Sequence, residues 1–456
     1  MGYILFALGA LTMIVEFSIP RLIAPAYGNT LFSWTAIISV VLISMTIGYF
    51  IGGRVSEQSK NTRKLIVIFG TVSALWTALI AVFGSSIVET LSFLNIIVGP
   101  VVASVIFALL PTFLNAAIVP MAISTYDEPA GSASGKCFSI STVGSIVGVI
   151  ITGYLLLPLL GISGTLLTGS ALFFLALVIY QPKIVGVIGL LAILVLGWSI
   201  NSAQTGKGIL VDHSNGYHRI KIKEVSIGDE TSRYIYLDRT LEGIAVIGKQ
   251  TPYLPGVGKL VAQIKDIKSV LVIGGGAFSI PRYFKAKFPN AVVDVIELDP
   301  DVVEYGHKYM ELGNELNVYI GDGRNVLRSL DKKYDLIFND AFRGYKNIPP
   351  HLTTLEFNEL VKAKLTDDGI YAMNVRGYPS DSYLAASLLK TLDRGFAYIT
   401  KAGQNASNTI TLASNTMLTI GEKLNVSFEE GIILTDNRAP TEMLIMADVI
   451  RKKVGF

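Results

Sequence analysis

The first part of the chain is dominated by long apolar runs with few charged residues. Each run is long enough to cross about 30 Å of hydrocarbon as an α-helix. The fourth contains Pro100, Pro111 and Pro120, so it is either one kinked helix or two shorter passes. The pattern therefore predicts a polytopic α-helical membrane domain of seven or eight spans. The runs cover residues 3–27, 31–52, 65–84, 95–123, 139–160, 163–181 and 184–200.

The pattern changes after about residue 207. Between residues 208 and 248, apolar and polar residues alternate in short stretches such as 217–223, and polar turns separate these stretches. Alternation with a period of two is typical of strands that bury one face. We therefore expect a small antiparallel β-sheet ahead of the main C-terminal fold.

From residue 269 onward, continuous apolar runs alternate with helical patterns. Strands that are buried on both faces and alternate with helices favour a parallel, doubly wound sheet. The sequence therefore predicts a Rossmann-like α/β domain with its ligand site at the carboxyl ends of the strands. The predicted strands are 269–273, 291–296, 317–320, 334–338 and 369–375, and predicted helices end at 287 or cover 300–310, 350–365 and 380–393.

Composition divides the chain in the same place. Charged residues make up 16% of the 456 residues, but only 12 charged residues lie among the first 204 positions. That is about 6%, against about 24% for the remainder, and about 25% is ordinary for a soluble domain. We therefore predict a transmembrane helical domain at 1–206, a small β-strand subdomain at 207–255 and the Rossmann-like domain at 256–456.

Charge and cysteine usage exclude several partners. The net charge is only +3, so a nucleic-acid partner is not expected. The single cysteine, Cys137, excludes an internal disulfide and a thiolate metal cluster. No HExxH pattern or Cys/His cluster occurs, so no metal is expected.

The basic residues of the first part bear on its orientation. The loop at 53–64 holds four of its seven basic residues, which favours a cytoplasmic loop in a multi-pass protein of the cell membrane. With seven spans the soluble part would then lie outside the cell, and with eight it would lie inside. The span count leaves both open.

Two charges, Glu16 and Arg21, lie within the first apolar run. Ionisable groups at membrane depth usually face a protein interior or a water-filled cavity. Their directions differ by roughly 140°, so we do not expect them to pair with each other. Glu16 either pairs with another helix or belongs to a polar site for an acceptor or a lipid headgroup. Small residues typical of close helix packing are Gly48, Gly52, Gly53, Gly144, Gly148 and Gly153.

Candidate chemistry lies at the strand ends. Gly274, Gly275 and Gly276 follow the first predicted strand and permit a tight turn and close backbone approach to a ligand. Glu297 ends the second strand, where a carboxylate accepts hydrogen bonds from the ribose of an adenosine-type cofactor. The alternatives are that the three glycines form only a tight turn and that Glu297 is a solvated acid in a loop.

Two further acids, Asp322 and Asp340, follow the third and fourth strands, so three carboxylates, with Glu297, are expected at one sheet edge. Such charge repels a phosphate-rich cofactor but not a sulfonium. It therefore favours S-adenosylmethionine or its decarboxylated form over a dinucleotide.

These residues carry a family resemblance. The stretches VLVIGGGAFSIPRYFKAKFPNAVVDVIELDPDVVEYGHKYM, YIGDGRNVLRSLDKKYDLIFNDAF and LTTLEFNELVKAKLTDDGIYAMNV resemble the spermidine synthase (polyamine aminopropyltransferase) family, most strongly over 269–375. The apolar N-terminal region and TDNRAPTE at 435–442 resemble the membrane-fused branch of that family, the latter being similar to its TDDxAPxE pattern.

The resemblance implies a methyltransferase-type fold and a membrane-bound transferase that moves an aminopropyl-type group to an amine or other acceptor and releases methylthioadenosine. Glu297 would hold the ribose, Asp322 with Gly323 the adenine amino group, and Asp340 would be the general base, while the three glycines cradle the donor. The family also leaves a homodimer open. Candidate substrate-binding residues are Arg343, Tyr217, Glu242, Tyr253, Asp436, Glu442 and Glu16.

The sequence departs from the family at amine-binding positions. Ala277 stands where the family's glycine loop has an acid, and Arg343 replaces the second acid of a D-x-x-D pattern. Arg239 and Glu242 replace glycine and glutamine of LDGxxQ, and a Tyr-His pair is reduced to Tyr253 followed by leucine. The donor is then either the decarboxylated or the intact form, and Arg343 either pairs with a carboxylate or is a surface charge.

Three functions therefore stay open. The first is the aminopropyl-type transferase acting on a small amine or lipid-like acceptor. The second is an S-adenosylmethionine-dependent methyltransferase on a membrane-located acceptor, and the third is a transporter or sensor that binds a nucleoside or polyamine without turnover. Because either donor is made in the cytosol, we expect the catalytic domain to be cytoplasmic.

Overall fold

The computed structural model describes residues 1–59, 61–181, 208–215, 217, 219–238, 240–251, 254–341, 348–377, 380–404, 408–424 and 427–454. The chain forms two compact units. The first comprises Met1–Lys207 and Asp212–Arg219, and the second comprises Gly208–Val211 and Ile220–Phe456.

The first unit is helical. Its helices are α1 (Gly2–Tyr27), α2 (Leu31–Gln58), α3 (Thr62–Leu91), α4 (Val98–Ser104), α5 (Leu110–Ile123), α6 (Ala130–Ile151) and α7 (Leu157–Tyr180). A π-helical turn, Val105–Leu109, joins α4 to α5, and another, Thr152–Leu156, joins α6 to α7.

Among the described residues, five helical segments are long and apolar enough to cross a membrane. The fourth predicted run is one continuous segment, Val98–Ile123, rather than two passes. The fifth segment, Ala130–Tyr180, is 51 residues long, and Gly161 within it has φ 64° and ψ −173°. The predicted runs 139–160 and 163–181 therefore meet at a break at Gly161, and the run 184–200 lies outside the described residues.

Small residues allow the helices of this unit to pack closely. A Cβ built on Gly144 would lie 2.0 Å from the Phe6 carbonyl oxygen, and one on Gly48 would lie 2.5 Å from that of Phe113. Gly52 and Gly148 are packed in the same way, as predicted. The prediction is wrong for Gly53 and Gly153, where a Cβ would meet no atom of the described residues within 4 Å.

Hydrogen bonds between buried polar side chains also connect these helices. The Asn115 side chain of α5, 1% exposed, donates from Nδ2 to Thr12 Oγ1 of α1 at 3.0 Å. Its Oδ1 accepts from Ser73 Oγ of α3 at 2.7 Å. At the π-helical turn, the carbonyl of Ile106 accepts from Trp76 Nε1 at 3.2 Å. An unmade hydrogen bond is costly in an apolar interior, so these contacts fix how the helices fit together.

The expected small sheet lies mainly in the second unit, to which its residues outside 212–219 belong. Its strands are β1 (Ile209–Ser214), β2 (Arg219–Ile227), β3 (Glu230–Leu237) and β4 (Thr240–Val246), in that order. The pairs β2–β3 and β3–β4 are antiparallel.

The main sheet has seven strands in the order β10-β11-β9-β8-β5-β6-β7. Five of them, from β9 to β7 in this order, are parallel, and the order reverses on either side of β5. The strands are β5 (Ser269–Ile273), β6 (Val292–Glu297), β7 (Asn317–Ile320), β8 (Tyr334–Asn339), β9 (Leu365–Arg376), β10 (Tyr398–Gln404) and β11 (Asn408–Ser414).

The Rossmann-like, methyltransferase-type fold is confirmed, and the five predicted strands are parallel. Two further strands, β10 and β11, were not predicted. The pairs β9–β11 and β11–β10 are antiparallel. Only residues 405–407 separate β10 from β11, and a parallel crossover needs a dozen residues or more.

Helices connect the parallel strands and complete the core. Val270, Leu271 and Val272 of β5 are fully buried, which explains the continuous apolar run at this strand. The helices are α8 (Pro255–Gln263), α9 (Ser279–Lys287), α10 (Pro300–Tyr309), α11 (Gly323–Ser329), α12 (Leu355–Lys364), α13 (Tyr383–Gly395) and α14 (Thr441–Val454), with a short 3₁₀ helix at Pro350–Leu352.

Candidate active site

The glycine loop after β5 lies at the point where the strand order reverses. Gly274 and Gly276 have φ of 103° and 51°, a backbone region that favours glycine. A Cβ on Gly274 would lie 2.8 Å from the carbonyl oxygen of Asp340. The loop is therefore in contact with the segment that follows β8, as expected for a ligand site at a topological switch point.

The Phe278 ring packs against this loop at Gly275. Phe278 begins α9 in the left-handed region, with φ 54°, and its ring is fully buried. A Cβ on Gly275 would lie 2.8 Å from two atoms of this ring and 3.1 Å from Glu297 Oε2. Gly275 is thus confined between an aromatic ring and a carboxylate.

Glu297 at the end of β6 is 7% exposed and accepts two backbone hydrogen bonds. Gly275 N–H donates to Oε2 at 2.8 Å, and Asp299 N–H donates to Oε1 at 2.9 Å. Each carboxylate oxygen can accept a second hydrogen bond, so this orientation is compatible with a ligand's hydroxyls.

Asp322 and Gly323 follow β7, next to Glu297. Gly321 N–H donates to the Glu297 carbonyl at 2.8 Å, and Asp322 caps α11 by accepting from Asn325 N–H at 3.0 Å. The second oxygen of Asp322 lies 2.7 Å from His351 Nε2. A Cβ on Gly323 would lie 2.8 Å from the Ile273 side chain, so only glycine brings α11 this close to β5.

Asp340 follows β8, and its backbone N–H donates to the Ile273 carbonyl at 2.9 Å. Its Oδ1 accepts from Asn374 Nδ2 at 2.7 Å. Asn374 Oδ1 in turn accepts from Asn408 Nδ2 at 2.8 Å. The carboxylate is therefore held by a side chain from the neighbouring strand β9.

The small sheet contributes β4 to the wall of the site. The Glu242 carbonyl oxygen would lie 3.1 Å from a Cβ on Gly276, and a Cβ on Gly243 would lie 2.5 Å from that of Ala277. Ala277 is 2% exposed. The position where the family carries an acid is therefore packed against β4.

Asp436 is paired with an arginine. Arg324 Nη1 and Nη2 each donate to the Asp436 carboxylate at 2.7 Å, and Thr354 Oγ1 donates to it at 2.8 Å. The Arg324 guanidinium holds the pKa of this carboxyl below its usual range, although burial acts in the opposite direction. The TDNRAPTE segment is thus fixed to α11, directly after Asp322. Glu442 lies in the first turn of α14 and is half-buried.

The remaining predicted residues lie elsewhere. Arg343 and Tyr253 fall outside the described residues. Glu16, half-buried in α1, and Tyr217, 47% exposed, both belong to the first unit. Within the described residues, no group of three or more His, Cys, Asp or Glu side chains is arranged to hold a metal ion.

Sequence reasoning missed Asn374, Asn408 and His351. The one available signal was an asparagine inside the apolar run of β9, since a polar residue in such a run needs a partner. His351 lies 29 residues from Asp322, and sequence alone did not join them.

Comparison with known proteins decides the kind of domain. The family model described as "Spermine/spermidine synthase domain" matches residues 255–423. The second half of the chain carries a spermine/spermidine synthase domain. The matched residues include the glycine loop, Glu297, Asp322 and Asp340.

Two relatives with similar sequences are named polyamine aminopropyltransferases. Polyamine aminopropyltransferase 2 of Aquifex aeolicus is 22% identical over 425 residues, which cover 86% of this chain and 82% of the relative. Polyamine aminopropyltransferase of Vibrio vulnificus is 33% identical over 110 residues, 23% of this chain and 36% of that protein. A probable spermidine synthase from Corynebacterium glutamicum matches with a TM-score of 0.39 and 21% identity, covering 44% of this chain and 78% of the other. The expected family and transferase class are confirmed.

Proposed function

We propose that this protein is a membrane-bound transferase that moves an aminopropyl-type group from decarboxylated S-adenosylmethionine to an amine or similar acceptor and releases methylthioadenosine. The observation that carries the proposal is the placement of Glu297 and Asp340 on either side of the glycine loop of a spermine/spermidine synthase domain.

The residues of the site fit such a donor. The glycine loop lies at the strand ends where a nucleoside would approach the backbone, and its positive φ angles at Gly274 and Gly276 give the tight turn that such a loop needs. Glu297 is oriented by Gly275 N–H to accept from ribose hydroxyls, and Asp322 lies beside it for the adenine amino group. The donor supplies a carbon made electrophilic by its sulfonium, and carboxylates do not repel that positive charge.

Asp340 is the proposed general base. It lies beside the glycine loop, and Asn374 fixes its Oδ1. It would take a proton from the attacking amine, so that the neutral nucleophile displaces the nucleoside. The domain otherwise acts by holding donor and acceptor in line.

For the first unit we propose membrane anchorage in the cell membrane, with the catalytic domain in the cytoplasm. Five described helical segments support it by length and composition. A small amine or a lipid-like molecule is the proposed acceptor.

The test is direct. Purified full-length protein is incubated with decarboxylated or intact S-adenosylmethionine and a panel of amines, and the nucleoside product is identified by mass spectrometry. Methylthioadenosine supports the proposal. S-adenosylhomocysteine indicates methyl transfer instead, and absence of any product with either donor contradicts both.

One observation favours methyl transfer from intact S-adenosylmethionine as the second candidate. Ala277 provides no charge for an aminopropyl ammonium, and its 2% exposure shows that the side chain packs into the core. An intact donor carries a carboxylate, which an acid at this position would repel.

A further inference from the structure

Three polar side chains form a row across the strands β11, β9 and β8. Asn408 Nδ2 donates to Asn374 Oδ1 at 2.8 Å, and Asn374 Nδ2 donates to Asp340 Oδ1 at 2.7 Å. Strand register explains the contact between Asn374 and Asp340. Met373 is paired with Asn339, so the next residues, Asn374 and Asp340, lie side by side at the ends of β9 and β8. Asn408 reaches Asn374 from a diagonal position, because Asn374 is paired with Ile410 and Asn408 with Arg376.

The hydrogen bonds of this row all run in one direction, from Asn408 through Asn374 to Asp340. Asn374 is 6% exposed, so water cannot easily replace a lost hydrogen-bond partner, and losing one is costly. Because Asn408 donates to its Oδ1, the amide group must turn its Nδ2 towards Asp340. Rotated by 180°, the amide would place Oδ1 against the carboxylate and Nδ2 against another NH₂ group, and both contacts would be repulsive.

We propose that Asn374 is a positioning residue for Asp340 and that Asn408 sets the orientation of the Asn374 amide, so that the carboxylate is aimed for proton transfer. This inference rests on the proposed function, in which Asp340 is the general base. Residues of β9 and β11 would then contribute to the reaction through Asp340, without contacting the substrate.

The direction distinguishes this role from simple packing. In Asn408→Ala the Asn374 amide loses one partner but can still donate to Asp340. In Asn408→Asp a carboxylate of nearly the same size competes with Asp340 for the Asn374 Nδ2 donor, and whenever Nδ2 faces residue 408, Oδ1 faces Asp340. Packing alone would make the alanine variant the worse of the two.

The experiment measures kcat and the donor KM of the full-length protein and of these variants. Each kcat is calculated from the concentration of molecules that bind methylthioadenosine, so that misfolded protein is not counted. Hydrogen bonds to a charged group typically contribute enough for roughly a 10- to 100-fold effect. We expect a kcat loss of that size in Asn374→Ala and Asn408→Asp, a smaller loss in Asn408→Ala, and a donor KM within about twofold of wild type throughout, because Glu297 and the glycine loop are untouched.

A double-mutant cycle separates amide reversal from the added negative charge. If reversal of the amide is the cause, Asn408→Asp lowers kcat in the wild-type background but not in the Asn374→Ala background. An equal loss of kcat in both backgrounds would overturn the proposal and indicate a plain charge effect. Equal kcat in wild type and Asn374→Ala, or a greater loss in Asn408→Ala than in Asn408→Asp, would also overturn it. The proposed function fails separately, if wild-type protein yields no nucleoside product.

Discussion

Substitution of Gly275 by alanine tests the site where the loop, the aromatic ring and the carboxylate meet. The new Cβ would lie 2.8 Å from Cε1 and Cζ of Phe278, whereas an ordinary contact begins at 3.4 Å. The ring has little room to withdraw, since it is fully buried and its other edge packs closely against Gly306. The loop must therefore move, or the strain stays.

Overpacking of this kind costs about 1–3 kcal/mol. If the loop moves to relieve it, Gly275 N–H leaves Glu297, and the carboxylate loses the bond that orients it. We expect a lower midpoint of thermal unfolding by calorimetry and roughly a tenfold or greater loss of affinity for methylthioadenosine by isothermal titration.

Two variants make the measurement specific. Phe278→Leu removes the ring atoms that the new methyl group meets, so Gly275→Ala should be less harmful in that background than in wild type. Gly53→Ala adds a methyl group where nothing lies within 4 Å, and it should leave binding unchanged. Wild-type affinity in Gly275→Ala, or an equal loss in both backgrounds, would refute the steric explanation.

Three further outcomes follow from the second unit. Asp340→Asn should lower kcat by about 10²–10⁴-fold with the donor KM little changed, and retained turnover would rule out Asp340 as the base. Arg324→Gln should lower the unfolding midpoint at pH 7, because the depressed pKa of Asp436 stabilises the fold above the unfolded value of about 3.9. That difference from wild type should shrink as the pH falls below about 4, and a gap independent of pH would contradict the pairing. Tyr334→Phe should cost about 1.5–3 kcal/mol by calorimetry, because the fully buried Asp294 loses a 2.7 Å hydrogen bond; turnover should survive, and an unchanged unfolding midpoint would contradict the estimate.

The central strands could be predicted because burial on both faces leaves a continuous apolar run. Ser269–Ile273 and Asn317–Ile320 have the predicted bounds. The strands β10 and β11 could not, because their residues do not form such runs and their pairing depends on a short connection. Glu297 and Asp340 were predictable for a topological reason, since parallel strands bring their carboxyl ends to one edge.

Contacts that depend on strand register or on distant segments were beyond the sequence. Asn374 supports Asp340 only because β9 and β8 pair in one register. Arg324 and Asp436 are 112 positions apart, so the segment 435–442 pointed to the family but not to a partner for its acid. Gly53 and Gly153 show the same limit in the helical unit, where spacing indicates small residues but not which of them face a neighbour.

The hydrogen bonds of Asn115 bear on how the helical unit can move. Its amide bonds α1 with one atom and α3 with the other. A slip of α5 by one helical turn, about 5.4 Å, would break both bonds at once and leave the Asn115 amide without these partners in an apolar interior. Sliding of this helix along its neighbours is therefore opposed by the core itself.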